Sequence, residues 1–265
     1  MNKGVNGGKL PQTFRKKLAK GEVVFGVFCK ATTPEWIECL GHAGFDFCIL
    51  DREHGPVSFE SLSSLVLAAE STGMLPIVRV RNASEEEIGH SLDLGAKGIQ
   101  VPQVDSAEMA DRAVDCAKFA PDGHRGVCRF VRAAEFSQKD RTAYFREANQ
   151  SLVILQLEDT KLETYRQFIE TKGVDVLFIG PYDLSQRLGL PGQVDHPKVI
   201  QEIRKLIALA KTKKKAVGIF ADTPEQAARW IEAGCQYIAY SVDVGLFSTV
   251  CRETCTTLKN LRKPE

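Results

Sequence analysis

Eight short apolar runs, rich in β-branched residues, punctuate this chain at residues 23–29, 45–51, 75–80, 98–102, 152–158, 175–180, 216–220 and 236–240. They are apolar almost without interruption. Strands covered on both faces read that way, whereas a strand with one wet face alternates. Amphipathic helical stretches lie between them at 34–42, 58–72, 84–93, 107–118, 162–171, 197–212 and 223–233, and a last one at 244–261. Thr33 stands as an N-cap before Pro34, a residue suited to the first helical position. Ser84-Glu85-Glu86-Glu87 fits a capping box closed by Glu87. Gly73, Gly95, Gly173 and Gly234 follow helical stretches, where a left-handed residue commonly stops a helix.

Eight alternations of strand and helix predict an α/β fold, a (β/α)8 TIM barrel formed by one domain over residues 1–265. An extra helix at 14–20 would close the bottom, and residues 1–10 would form a flexible tail. An open doubly wound sheet is the alternative. It requires a glycine-rich phosphate loop after the first strand, and that strand runs into Cys29-Lys30-Ala31-Thr32 instead.

Composition narrows the functional classes. A net charge of +1 gives no electrostatic footprint for nucleic acid or an anionic membrane. No apolar run nears the ~20 residues that span a bilayer. The polar, glycine-rich start lacks the apolar core of a signal peptide, which makes the cytoplasm the expected compartment. The eight cysteines show no C-x-x-C pair, and several fall inside apolar segments as small core residues. Cys251 and Cys255, one helical turn apart, are the one spacing suited to a metal or redox pair. Lys211-Thr212-Lys213-Lys214-Lys215 reads as the solvated C-terminal end of a helix.

In a parallel barrel the strand C-termini share one mouth, where active sites sit. The polar residues gathered there are Asp51, Glu53 and His54, Arg79, Gln100 and Gln103, Gln156 and Glu158, Gly180-Pro181-Tyr182-Asp183, Asp222, Ser241 and Asp243. Glu158 and Asp183, from neighbouring strands, are a plausible pair of ligands for a hard cation such as Mg²⁺ or Mn²⁺, which leaves positions open for a 2-oxo acid. Arg79 would face the charge developing on the keto oxygen. His54 would act in acid–base chemistry or orient a water. Each residue also has an ordinary structural reading. Arg79 can bridge a neighbouring carboxylate, Glu158 can cap the next helix, and Asp183 can N-cap a short one. His42, His90, His124 and His196 fit as satisfied surface or helix-end residues. The one long excursion, 120–151, carries Arg125, Arg129 and Arg132 and is expected to be a lid or binding loop.

The combination Asp51-x-Glu53-His54-Gly55-Pro56, Pro76-Ile77-Val78-Arg79-Val80, Gln156-Leu157-Glu158 and Phe178-Ile179-Gly180-Pro181-Tyr182-Asp183-Leu184-Ser185 resembles the HpcH/HpaI aldolase family. These are metal-dependent pyruvate aldolases of the 4-hydroxy-2-oxoheptanedioate and 2-dehydro-3-deoxyglucarate type. Arg125-Gly126-Val127 and Pro191-Gly192-x-x-Asp195-His196-Pro197 match as well, so the resemblance runs from about residue 25 to 250. It implies a divalent cation (Mg²⁺, Mn²⁺ or Co²⁺) on Glu158 and Asp183, with His54 in acid–base chemistry and Arg79 stabilising a pyruvate enolate. Asp51 and Asp93 match positions that support the histidine. Gln156 and Phe220 would line the substrate, and the backbone of Gly180, Pro181, Tyr182 and Asp183 would hold the pyruvate carboxylate. It further implies an aldehyde partner and a dimer-based, often hexameric, assembly in which the last helix is exchanged between subunits.

Arg52 departs from the family, whose residue there is small or uncharged. It can narrow the pocket, hold an extra carboxylate of the acceptor, or turn outward to a carboxylate. Arg129 and Arg132 also suit an anionic acceptor. Citrate-forming condensation of oxaloacetate with acetyl-CoA is the nearest other enzyme, with Arg52 or the 125–132 loop holding the added carboxylates. A non-catalytic metabolite-binding barrel is the other class. A Schiff-base mechanism needs a lysine at a strand end, and Lys30 is the nearest.

Overall fold

Parallel pairing joins the apolar runs in sequence order into a closed barrel: β1 (Val24–Cys29), β2 (Phe47–Asp51), β3 (Leu75–Arg79), β4 (Gly98–Val101), β5 (Leu152–Leu157), β6 (Val176–Ile179), β7 (Ala216–Ala221) and β8 (Tyr237–Val242). The structure is a computed structural model that describes residues 10–158 and 162–262; most of the tail expected at 1–10 lies outside the described residues. The helices are α1 (Leu10–Ala19), α2 (Pro34–His42), α3 (Phe59–Thr72), α4 (Glu85–Asp93), α5 (Ala107–Ala117), α6 (Arg141–Ala148), α7 (Leu162–Phe168), α8 (Pro181–Arg187), α9 (Pro197–Thr212), α10 (Pro224–Ala233) and α11 (Asp243–Asn260). The (β/α)8 barrel is therefore the observed fold.

Two apolar layers explain why the strands read as continuous. Alternate residues such as Phe47, Ile49, Leu75, Ile77, Ile154 and Phe178 fill the interior. Their neighbours Cys48, Leu50, Val78, Leu155 and Ile179 pack outward under the helices. Interior glycines make room for rings. A Cβ on Gly26 would stand 2.2 Å from the Phe47 ring, and one on Gly218 would stand 2.7 Å from Tyr237. Phe47 and Tyr237 stack at 4.1 Å in the space so created. From α1, Phe14 meets both rings edge-on at 5.7 and 6.1 Å, so this helix plugs the bottom. The Arg15 fork fastens it to Asp175 at 2.5 and 2.9 Å.

Several local expectations change. Thr33 precedes α2 without a side-chain cap bond. Ser84 caps α4 by accepting from the Glu87 N–H, but the Glu87 carboxylate leaves the box for Arg52, since a charge-assisted bond outcompetes a neutral one. Asp183 is not an N-cap; it lies in the first turn of α8, whose N-cap is Gly180. The lysine run at the C-terminal end of α9 is only partly solvated: Lys211 donates to Ala233 O, and Lys215 to Thr171 O and Val174 O.

The 120–151 excursion follows α5 and precedes β5. It is thus a helix-to-strand connection at the bottom of the barrel, not a lid over the mouth. Its arginines are engaged there. Arg125 pairs with Asp93 at 2.5 Å, Arg132 with Glu70, and Arg129 donates to Ser137 O and Lys139 O. Phe119, Ala134 and Tyr144 give the excursion its own small core.

Candidate active site

The parallel register sets Asp51 beside Arg79, and Arg79 beside Gln100, at the C-terminal ends of β2, β3 and β4. The Arg79 fork is bidentate on Asp51, Nε to Oδ1 at 2.9 Å and Nη2 to Oδ2 at 2.7 Å. Its Nη1 lies 3.0 Å from Glu53 Oε2, and the guanidinium covers the Phe28 ring at 4.7 Å. Arg79 is thus held from three sides with one edge left toward the cavity.

Asp51 is fully buried and does more than pair with Arg79. Its Oδ1 accepts the N–H groups of Glu53 and His54 at 3.1 and 3.2 Å, which turns the chain sharply after β2. Gly55 is required in that turn, because a Cβ there would stand 2.3 Å from Asp51 O. The expected link between Asp51 and the histidine therefore runs through backbone: the carboxylate places the loop that carries His54. The imidazole itself is exposed, 3.9 Å from Glu53 Oε1.

A relay of amides leads to the opposite side of the mouth. Tyr237 OH donates to Gln100 Oε1 at 3.3 Å, Gln100 Nε2 to Gln156 Oε1 at 2.5 Å, and Gln156 Nε2 to Glu158 Oε1. The Gln103 N–H donates to Glu158 Oε2 at 3.1 Å while its side chain reaches Glu53 Oε1 at 3.0 Å. A left-handed backbone at Gln103, φ 54°, lets it do both. Each Glu158 oxygen accepts one bond at the mouth; the residues through which it would cap α7, 159–161, lie outside the described residues.

Glu158 and Asp183 face one another across Gly180. The position a Gly180 Cβ would occupy lies 3.4 Å from Asp183 Oδ2 and 3.8 Å from Glu158 Oε1. Burial, then the charge of Asp183, push the Glu158 carboxyl up to about 7, against the hydrogen bond from Gln156. A buried carboxyl, Glu158, beside the exposed Asp183 carboxylate forms an oxygen donor set that a hard divalent cation satisfies, so the residues present fit such an ion. Among the described residues no third His, Cys, Asp or Glu joins them as a cluster.

A cavity of about 420 Å³ opens at this mouth, lined by His54, Arg79, Gln156, Gly180, Pro181, Tyr182, Asp183 and Phe220 among others. These are the residues expected to act or bind, brought together from five strands. A broader basin of about 920 Å³ at the bottom gathers Lys211, Lys213, Lys214 and Lys215 and no such mixed set. The arrangement can stabilise negative charge beside Arg79, hold a cation between Glu158 and Asp183, and move a proton at His54.

One expected member lies elsewhere, and Arg52 takes one of its three alternatives. Asp93 ends α4, and α4 runs from the mouth down to the start of β4, so within the chain Asp93 sits at the opposite end from His54, bound to Arg125. Arg52 points outward, since neighbouring residues of a strand face opposite ways. Its side chain is buried against Glu87 at 3.0 Å and over Phe59 at 3.5 Å, so the outward alternative holds. Sequence reasoning placed Gln100 and Gln103 at the rim without a task, and it missed Phe28 and Tyr237. The two-residue alternation that points Phe28 and Tyr237 inward was the available signal.

The family model described as HpcH/HpaI aldolase/citrate lyase matches residues 24–249. The chain belongs to that family. It is 35% identical to a hydroxypyruvate/pyruvate aldolase of Roseobacter denitrificans, across 88% of this chain and 92% of that protein. It is 32% identical to a 2-keto-3-deoxy-L-rhamnonate aldolase of Escherichia coli K12, across 95% and 94%. Among solved structures, a HpcH/HpaI aldolase/citrate lyase family protein of Burkholderia cenocepacia J2315 superposes with a TM-score of 0.88 at 31% identity, covering 93% of this chain and 99% of that one. The chain is therefore an aldolase, a carbon–carbon lyase, and the mouth just described is where an aldolase of this fold works.

Proposed function

We propose that this aldolase is metal-dependent and uses pyruvate, joining it to an aldehyde to give a 4-hydroxy-2-oxo acid and cleaving the same bond in reverse. The observation that carries the reading is the facing pair Glu158 and Asp183, of which Asp183 lines one cavity with Arg79 and His54. Glu158 and Asp183 would hold Mg²⁺, Mn²⁺ or Co²⁺, which supplies Lewis-acid polarisation of the 2-oxo group. Arg79, locked by Asp51, Glu53 and Phe28, faces the oxygen on which enolate charge develops and needs no rearrangement to do so. In cleavage His54 takes the proton of the 4-hydroxyl, and in synthesis it returns it. Gln156 lines the substrate, Phe220 walls it, and the first turn of α8 at Pro181, Tyr182 and Asp183 receives the pyruvate carboxylate.

Oxaloacetate decarboxylation fits the same site, because it passes through the same enolate. A citrate-forming condensation has less support: Arg52, Arg125, Arg129 and Arg132 are all engaged away from the mouth within the chain. The reading includes a dimer-based assembly, up to a hexamer, with α11 exchanged between subunits. Its support is that Phe247, Val250 and Leu258 of α11 are exposed, although Phe247 meets the Trp36 ring at 5.0 Å, so an apolar stripe of α11 stays largely uncovered among the described residues. No helix among the described residues is long and apolar enough to cross a membrane, and all eight cysteines are free, which supports the cytoplasm as the working compartment.

The test is a product screen with pyruvate, a panel of aldehydes and several divalent metals, with oxaloacetate plus acetyl-CoA as a separate arm. Metal-dependent formation of 4-hydroxy-2-oxo acids is expected. Full activity in excess chelator would sink the metal reading, and citrate as the dominant product would sink the pyruvate one.

A further inference from the structure

A small polar cavity lies at the bottom of the barrel, away from the mouth. Its volume is about 50 Å³, and Arg125, Lys139, Tyr144 and Glu147 are among its walls. That is several times the ~10–15 Å³ that one water needs and far below the ~300 Å³ of a small-molecule pocket. Two side-chain donors are buried there without a hydrogen-bond partner among the described residues, Arg125 Nε and Tyr144 OH. Their residues are 4% and 1% exposed. Arg125 is fixed by Asp93 at 2.5 Å and by the Phe119 ring beneath its guanidinium at 4.7 Å, which leaves Nε over. Burial raises the Tyr144 hydroxyl above its ordinary pKa, against the charge of Arg125, so it keeps its proton to donate. A buried donor left unpaired costs free energy that a ligand in the cavity recovers.

The balance of charge sets the sign of that ligand. Lys97, Arg125 and Lys139 line the cavity. They pair with Glu70, Asp93 and Glu147 in turn, and Glu70 is shared with Arg132. Four cations therefore meet three carboxylates in a half-buried setting, where an excess charge is poorly answered by water. Glu147 Oε2 also lacks a hydrogen bond, but Lys139 Nζ stands 2.6 Å from it and answers its charge. We infer that the cavity binds one small monovalent anion of halide size, held by Arg125 Nε and Tyr144 OH on a wall shared with Lys139. Such an ion would join four pieces of the chain: Pro11 of α1, the α4 end at Leu92 and Ala96, Arg125 of the 120–151 excursion, and Tyr144 of α6. It fastens the excursion to the barrel, and it is independent of the chemistry at the mouth.

The experiment melts the full-length protein in sodium chloride and in sodium gluconate at equal ionic strength, gluconate being too large to enter. Chloride is expected to raise Tm along a single-site saturation curve. Tyr144→Phe keeps the ring and removes one donor. It should weaken chloride binding at least tenfold, and in gluconate it should melt no lower than the wild type, because the stranded hydroxyl is gone. Crystals grown in bromide should show an anomalous peak between Arg125 Nε and Tyr144 OH. Equal Tm in the two salts overturns the inference in favour of water alone, and so does a loss of stability in Tyr144→Phe that is the same in both. A bromide peak without a chloride effect in solution means binding at crystal concentration only and overturns it as well. Saturation of Tyr144→Phe at the wild-type chloride concentration would place the ion elsewhere.

Discussion

Gln156 turns its amide nitrogen, not its oxygen, toward Glu158. The direction is dictated from the barrel core. Burial holds the Tyr237 hydroxyl well above its ordinary pKa, so it stays a donor; it donates to Gln100 Oε1, and Gln100 then donates to Gln156 Oε1. Gln156 is left with only its N–H groups for the carboxylate. The relay thereby presents Glu158 with its charge turned toward Asp183. Gln156→Leu should weaken Mn²⁺ binding by about 10–100-fold, the usual loss when the partner of a metal-holding side chain is removed. Calorimetric titration checks it; wild-type affinity would mean that the relay is only structural.

Metal should also stabilise the fold. A ligand that binds only the folded state at a hundred times its Kd adds about 2.7 kcal/mol. Wild-type protein should melt higher with Mn²⁺ and fall back with chelator. Glu158→Gln removes one facing carboxylate at nearly constant volume, so it should fold without metal, lose the Mn²⁺-induced rise in Tm and lose aldol activity. A full rise in Tm for this variant would place the cation elsewhere.

Arg79 is a stricter test of the chemistry. Lysine keeps the charge at this position but has no planar fork to hold Asp51 and Glu53 together. Arg79→Lys should cost at least ~10²-fold in rate for both aldol cleavage and oxaloacetate decarboxylation, since both need the enolate oxygen stabilised. Near wild-type turnover in either reaction would remove Arg79 from that role.

The barrel was legible because burial on both faces leaves little freedom in how β2, β3 or β5 can be written. The mouth was legible because strand ends collect there whatever lies between them. What the sequence hid is direction. Asp51 and Arg52 are neighbours in the chain and face opposite sides of β2. Asp93 and the arginines at 125, 129 and 132 belong to the helix-to-strand side of the barrel, a placement already carried by the order of the predicted helices and strands. Glu87 satisfied a capping motif, yet an arginine distant in sequence competed for it. Gln103 took a positive φ that glutamine rarely adopts, because two carboxylates reward it with bonds.

Lys118, behind β5, predicts a rise in stability with pH. Burial pushes its ammonium down to about 8, although Nζ donates to Asn149 O at 2.9 Å and Ser151 Oγ at 3.2 Å. Between about 8 and the ordinary 10.5 the unfolded chain keeps this proton and the folded chain has released it. The unfolded state then binds more protons, so stability increases through that window, and the cost of burying the charge is fully present only below it. Lys118→Met has nothing to titrate. From pH 8 to 9.5 the wild type should gain roughly 2 kcal/mol relative to it, at about 1.4 kcal/mol per pH unit. Parallel curves in urea unfolding would mean that the ammonium is not desolvated.

Arg52 and Glu87 should behave as a unit. The guanidinium is 2% exposed, donates to both Glu87 oxygens at 3.0 and 3.1 Å, and closes the active-site loop by donating to Val57 O at 2.9 Å. Burial raises the Glu87 carboxyl, but the Arg52 bond and charge outweigh it, so its pKa ends lowered. Removing one partner strands the other charge and should cost about 3–5 kcal/mol. Arg52→Met with Glu87→Met strands neither, and the loss should fall well short of the sum of the single variants. The pair's stabilisation is full above the unfolded carboxyl value and is lost as pH falls through the lowered folded one. The gap between wild type and Arg52→Met should therefore narrow in acid. If the two single losses simply add, and the gap is flat with pH, the two residues contribute separately, and the loop carrying His54 is held by Asp51 alone.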